Sequence, residues 1–428
     1  MGNDQLPIFL AEISVPSEER KQVTPSNEEP DNHKLEKEAI TPVWCFGFNQ
    51  KVPIINLSKN TENVVLYASA HLLVLSEVEN NKQQILRGHC NDISCLTCSA
   101  DKRWLASGDA GSNSAVIIWD GNTGEIVRIM LEPHPNGVIA ISLTHDARYL
   151  ATLSADSADQ QFSIWNWTSG SENPMCTITL DDTGFPQTQI SFKYGDYFQV
   201  ITNGPKNIIF YSWDTSGKIE MQSLTVKDED FGKRVGIFVG SHYVPDSSAA
   251  ITATTQGHAV LWQRSEETNL QNSDTDTRKQ KSILCTMEAV KLVPLHEHEI
   301  TMIAITECLN IKYCIVTGDI TGVLKFFDTK FMLVFWFQNI NAGPIAAISF
   351  SNRGVVRNAA SVGWKSSIFL ETTQYPKCST IPGERFVTED FIVTTGHSNM
   401  LLVILNGGII KASGYNLLHN GTFDHIQL

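Results

Sequence analysis

Three things are scarce in this sequence: positive charge, long apolar runs and any regular spacing of cysteine. Against 32 Lys and Arg stand 46 Asp and Glu, a formal net charge of -14. A protein that grips nucleic acid through its phosphates needs a basic footprint, and docking on anionic lipid needs a basic patch. Neither nucleic acid nor membrane is therefore expected as a partner. The acidity fits a chain that meets basic protein surfaces or simply stays dissolved. No apolar run reaches the roughly 20 residues of a membrane-spanning helix. The start, MGNDQLPIFLAEI, has no basic residue before a short apolar run that Pro7 interrupts, so no signal peptide is expected. Leu6 stands where a myristoylation motif needs Ser or Thr.

The nine cysteines, at 45, 90, 95, 98, 176, 285, 308, 314 and 378, are odd in number and scattered. Small disulfide scaffolds are denser and shorter. The chain reads as cytoplasmic, and the sequons at Asn56, Asn166 and Asn420 as chance matches. Cys95 and Cys98 form a C-x-x-C, but no second ligand pair completes a zinc site. Residues three apart on a strand face opposite sides, so these thiols are expected in the core. His296 and His298 lie two apart, but no acidic or Cys cluster completes a site with them, and they read as loop structure. A P-loop, a dinucleotide fingerprint and a nucleophile elbow are all missing. Gly318 to Gly322 reads as a tight turn, because no helix follows it. No metal, cofactor, small-molecule substrate or catalytic residue is expected.

What the sequence has in quantity is short alternating runs of Val, Ile, Leu, Thr and aromatics, such as SAVIIWD at 114–120, NIIFYSWD at 207–214 and GVLKFFD at 322–328. Gly, Asn and Asp punctuate them. This is strand-and-turn chemistry, and the fold class is all-β. Residues 1–42 are largely acidic and polar, and too poor in apolar surface to offset their ordering entropy, so disorder is expected there. A disordered loop is expected at 265–281, an irregular insertion at 352–385 and an irregular tail at 406–428, leaving 43–405 as the ordered body.

The ordered body repeats itself. HCNDISCLTCSADKRWLASG from His89 aligns without gaps on HPNGVIAISLTHDARYLATL from His134, an offset of 45 residues. Each copy then runs into an aromatic-ended strand, VIIWD and FSIWN. A third copy starts at His296 and leads to VTGDITGVLKFFD, and weaker copies lie between and after. A period of 40 to 45 residues with Gly-His near the start and Trp-Asp near the end is the WD-repeat signature. Four short strands cannot bury both faces alone, so such units stack into a ring. The expected architecture is a WD-repeat β-propeller of about seven blades, each of four antiparallel strands, at 43–80, 89–131, 134–180, 185–227, 235–292, 296–337 and 343–405.

The stretch from Leu86 to Asp120 also holds the residue types of a hydrolase triad. A catalytic His–Ser–Asp set does not normally recur at a fixed offset, whereas a buried polar network is needed once per blade. The candidate blade network is accordingly His89, Ser107, Asn113 and Trp119 in one copy and His134, Thr152, Asp159 and Trp165 in the next. The acid is placed six residues before the Trp; in the first copy Asn113 holds that place, with Asp109 nearby. The dense aromatics Phe326, Phe327, Phe331, Phe335, Trp336 and Phe337 are core, or in part an anchor for a partner.

TPVWCFGFN, VLYASAHLLVL, LRGHCNDISCLTCSADKRWLASGD, LTHDARYLATLSAD and IVTGDITGVLKFFD are similar to the first half of the cilia- and flagella-associated protein 251 family, from about Thr41 to Phe350. The resemblance implies a non-catalytic interaction scaffold of motile cilia and flagella. It would be axonemal, with partners at the base of the radial spokes and an indirect link to calmodulin. Members of that family continue through a second propeller and an EF-hand-like region, neither of which occurs in these 428 residues. No D-x-D-x-D-G loop is present, so direct calcium binding is not expected. The alternative is a cytoplasmic microtubule-associated or generic WD-repeat adaptor, since fold does not decide function.

Overall fold

In the computed structural model the described residues are 42–49, 51–57, 64–77, 82–156, 158–180, 184–265, 286–307, 312–337 and 344–350. Phe9–Ala11, Cys378–Thr380, Phe391–Thr395, Met400–Leu405 and Gly408–Ser413 are described as backbone strands. The alternating runs fold into short antiparallel strands, as period-two patterns dictate. Six sheets each contain four consecutive strands in simple meander order. Their first strands are Ile55–Asn56, Ile93–Cys98, Val138–Leu143, Gln189–Lys193, Phe238–Tyr243 and Ile300–Glu307. Their fourth strands are Lys82–Leu86, Ile126–Leu131, Cys176–Thr179, Ile219–Thr225, Thr286–Pro294 and Leu333–Phe337. From the second blade to the sixth, each first strand lies against that of the next sheet. First strands therefore stand at the centre of a β-propeller and fourth strands at its rim.

The core lies between blades. On the third strand of the second blade, Ala115, Ile117 and Trp119 join the cluster shared with the first blade, whose members include Leu66 and Leu73. Val116 and Ile118, pointing the other way, pack on Val138, Leu150 and Trp165 of the third blade. Both faces are thus buried, which is why the strand reads as an unbroken apolar run. The same arrangement joins the third blade to the fourth, the fourth to the fifth and the fifth to the sixth. Helix is confined, among the described residues, to one turn at Asp228–Phe231 and a 3-10 turn at Trp167–Ser169. No helix among them is long and apolar enough to cross a membrane.

Three expectations are corrected. Six regular blades, not about seven, are described with their side chains. Where a further regular blade was expected, an insertion separates its first strand from the rest. Cys378–Thr380, inside that insertion, leaves to add a fifth strand to the sixth blade beside Leu333–Phe337. Ile345–Phe350 instead forms a sheet with Phe391–Thr395, Met400–Leu405 and Gly408–Ser413, the last strand falling in the expected irregular tail. The Asn56 N–H donates to Ser349 Oγ at 2.9 Å, so Ile345–Phe350 also touches the first blade.

Second, the first blade starts at Ile55 and not at 43. Pro42–Cys45 pairs instead with Phe9–Ala11, a strand inside the segment expected to be disordered. It also clasps the rim of the first blade: the Cys45 N–H donates to Gln83 Oε1 at 2.8 Å, and Gln83 Nε2 donates to Cys45 O at 3.3 Å. Third, His296 is a buried member of a polar network and not simply loop structure, as described below. Apart from the strands named, the expected disorder at 1–42, the loop at 265–281, the insertion at 352–385 and the tail at 406–428 lie almost wholly outside the described residues.

Candidate functional site

The second blade carries the fullest polar network. Strand Trp104–Asp109 presents Ser107 and Asp109 on one face, because residues two apart on a strand point the same way. The loop before the first strand brings His89 over them. Its Nε2 lies 2.7 Å from Ser107 Oγ, and Trp119 Nε1 donates to the same oxygen at 2.8 Å. Since Ser107 Oγ accepts from Trp119, its own hydrogen is free to point at His89 Nε2. His89 Nδ1 faces Asp109 Oδ2 at 3.2 Å, though not aligned as a hydrogen bond. Asp109 also accepts the N–H groups of Ala115 at 2.6 Å and Asn91 at 3.2 Å. Burial pushes its carboxyl up, but His89 and these two N–H groups outweigh burial and hold it below the usual carboxylate range.

The third blade repeats the plan with other atoms. His134 Nε2 meets Thr152 Oγ1 at 2.8 Å, and Trp165 Nε1 donates to Thr152 Oγ1 at 2.9 Å. The place of Asp109 is taken by Ser154, whose Oγ accepts the Gln161 N–H at 2.9 Å. The Gln161 side chain faces His134 Nδ1 at 3.4 Å. Burial lowers the His134 pKa, against the smaller opposing effects of Gln161 and Asp156. The sixth blade restores the acid and drops the indole. His296 bridges Thr317 Oγ1 at 2.7 Å and Asp319 Oδ2 at 3.0 Å, while Phe327 sits at the Trp register. Burial raises Asp319, but His296, the Thr321 hydroxyl and the Val323 N–H bring it down to about 2. Burial also lowers His296, although Asp319 opposes this.

In the fourth blade Gln187, Thr202, Asn207 and Tyr211 form a network without histidine. In the fifth, Trp262 Nε1 donates to Thr252 Oγ1 at 2.9 Å and Ser241 Oγ lies 2.8 Å from the same oxygen.

A second set of polar contacts, which the repeat pattern alone did not point to, joins blade to blade at the centre. Ser94 donates to Gly108 O and Val138 O, and Thr301 stands to Gly318 O and Ile345 O in the same relation. Both residues occupy a bulge one place into a first strand. Gly108 and Gly318 allow the approach: a Cβ on Gly108 would meet Cys95 Sγ at 2.9 Å, and one on Gly318 would meet Ile345 Cβ at 2.6 Å. His242 spans three first strands, with Nδ1 2.9 Å from Ser191 Oγ and Nε2 3.3 Å from Ile303 O. Burial lowers its pKa to about 4. The recurring signal was a Ser or Thr as the second residue of the first strand, followed by Gly ahead of the acid.

Of the eight residues nominated from sequence, the structure brings together His89, Ser107 and Trp119, and separately His134, Thr152 and Trp165. Asn113 and Asp159 are not in the networks. Asn113 is an exposed turn residue at φ 54° and Asp159 is exposed. The reason is geometric: the acceptor that reaches the histidine comes from the end of the second strand, or from the start of the third, not from the turn between them. The described cysteines are free; Cys95 is buried, its thiol pushed up to about 12 by burial, and Cys98 is half-buried. No cluster of His, Cys, Asp or Glu suited to a metal occurs among the described residues. Ser107, Thr152 and Thr317 are each fully buried, so none is placed to attack a substrate in solution.

A family model described as the CFAP251 N-terminal domain matches residues 40–408. Cilia- and flagella-associated protein 251 of Mus musculus is 31% identical over 398 residues, 91% of this chain and 29% of that protein. Its counterpart in Chlamydomonas reinhardtii is 30% identical over 387 residues, 86% of this chain and 44% of that protein. The chain thus spans less than half the length of these relatives. Echinoderm microtubule-associated protein-like 1 of Mus musculus is 23% identical over 249 residues, 54% of this chain and 29% of that protein. Among solved structures, the β-propeller domain of Cps50 (Swd1) of Myceliophteria thermophila superposes with a TM-score of 0.50 at 13% identity, covering 76% of this chain and 87% of that one. The last comparison speaks to fold alone.

Proposed function

This chain belongs to the CFAP251 N-terminal domain family, and from that premise we propose that it is a non-catalytic protein-interaction scaffold of motile cilia and flagella. The observation that carries the reading is the family match over residues 40–408, which takes in all six regular blades. On this reading the chain sits on the axoneme, contacts proteins at the radial-spoke base and is linked to calmodulin only through them. The polar networks support a non-catalytic role. They recur, they are buried, and each satisfies groups that would otherwise be stranded inside a blade. They act as fasteners, and what the ring binds is met by its loops and rim. The six regular blades are taken as one ring, which the strand Ile345–Phe350 closes between the sixth blade and the first. The Asn56–Ser349 hydrogen bond supports that closure.

The test is to express the tagged full chain in multiciliated cells. Label along the axoneme, with proximity labelling of spoke-base proteins, is the expected result. A second reading, a cytoplasmic microtubule-associated adaptor, rests on the likeness to echinoderm microtubule-associated protein-like 1. Decoration of cytoplasmic microtubules in cells without cilia would favour it and overturn the first.

A further inference from the structure

The rim of the second blade is unlike the other rims. Its strand Ile126–Leu131 exposes Ile126, Val127, Ile129 and Leu131, the last at 76%. Among the described residues no other strand exposes more than one large apolar side chain. An edge strand offers a row of unpaired N–H and C=O groups, and proteins blunt such edges with charge, brevity or a cover. The other rims show these devices. The first blade is clasped by Pro42–Cys45 through Gln83, and the sixth is covered by Cys378–Thr380. The third rim strand is four residues long. The fourth carries Glu220, paired to Lys218 at 2.5 Å, and the fifth carries Glu288 and Lys291. On the second rim the charged residue within the strand, Arg128, is half-buried and donates to Ser171 O of the third blade. A bulge at Val127 precedes a regular ladder from Arg128 to Leu131.

We propose that this rim is completed by an extended segment of a partner protein, added as a fifth antiparallel strand. The sixth blade shows that a rim of this propeller accepts such a strand, with Phe335, Trp336 and Phe337 paired to Thr380, Ser379 and Cys378. Ile129 and Leu131 call for apolar residues at alternate positions of the partner, lying beside them on the same face. The exposed Glu125 and Glu132 bracket the strand and call for basic residues at the partner segment's ends. The net charge of -14 favours the same sign of partner. The inference stands on blade geometry and not on the ciliary reading, so either can fail alone.

The probe is a synthetic peptide of alternating Val and Thr between terminal lysines, on the order of eight residues long, added to the full chain. The expected result is slowed amide exchange confined to 126–131. Binding should be lost when a central Val of the peptide is replaced by Pro. It should weaken by about tenfold or more in Ile129→Lys and in Leu131→Lys, with thermal midpoints unchanged. The proposal is overturned if 126–131 is already protected in the free chain, if the proline peptide protects equally, or if no protection occurs. It is equally overturned if the chain alone forms dimers that Ile129→Lys dissociates, since a second copy would then be the occupant.

Discussion

In the second blade one carboxylate does two jobs: Asp109 faces His89 Nδ1 and accepts the Ala115 N–H. In the third blade the jobs are divided, Gln161 facing His134 and Ser154 accepting the strand's N–H. The sixth blade keeps the carboxylate but replaces the indole with Phe327. The network therefore requires acceptors at two points in space and does not require charge, or even the same residue, at either. A structural fastener tolerates that exchange readily.

The largest break in the comparison should come from the indole. Trp119→Ala removes a fully buried ring at a blade interface and should cost about 3–5 kcal/mol, measured by urea unfolding. Trp119→Phe, which copies the sixth blade, should cost only about 1 kcal/mol. A cost for Trp119→Phe as large as for Trp119→Ala would mean that the N–H to Ser107, and not the ring, holds the blade.

Next comes the acid. Asp109→Ala strands the Ala115 N–H and leaves His89 without its partner, for about 3 kcal/mol. Ser154→Ala in the third blade strands one N–H, for about 1 kcal/mol. Equal costs would show that the division of labour has no energetic consequence.

The effect of pH separates the blades further. His134 has a folded pKa below its unfolded value of about 6.5, so the unfolded chain takes the proton first. Stability should fall as pH drops below about 6.5, and less so in His134→Gln. Asp109 has a folded pKa below its unfolded value, so its contribution is present above about 4 and is lost as pH falls through the folded value. Urea midpoints at neutral and mildly acid pH should therefore move through the histidines, while Asp109 acts only in stronger acid. The smallest effect is predicted for Asp159→Ala, within about 0.5 kcal/mol of the parent, because the residue is exposed and outside the network.

Much of the blade plan was legible because repetition writes it twice. His89 over His134 and Trp119 over Trp165 locate the ends of each network without knowledge of three dimensions. The acids were misplaced because they were counted back along the chain from the Trp, through a turn whose length and direction differ from blade to blade. A better signal was available in strand parity: Ser107 and Asp109, Thr152 and Ser154, and Thr317 and Asp319 each stand two apart and so share a face. The clasps of Ser94 and Thr301 were less accessible. They rest on a bulge and on a glycine of the adjoining strand, and neither means anything until the next blade is in place.

By itself, the sequence determined the four-stranded unit, its period, its apolar faces and its family, because all of these are properties of local spacing and composition. The tertiary structure decided which oxygen meets each histidine, how many regular blades are formed, and which rims are covered. Those outcomes depend on the approach of residues tens to hundreds of positions apart, as Asn56 to Ser349 shows. They also decide that four apolar side chains of the second rim stand in water rather than in a core. An alternating apolar strand reads the same whether a neighbour covers it or not, and only the assembled ring reveals that this one was left open.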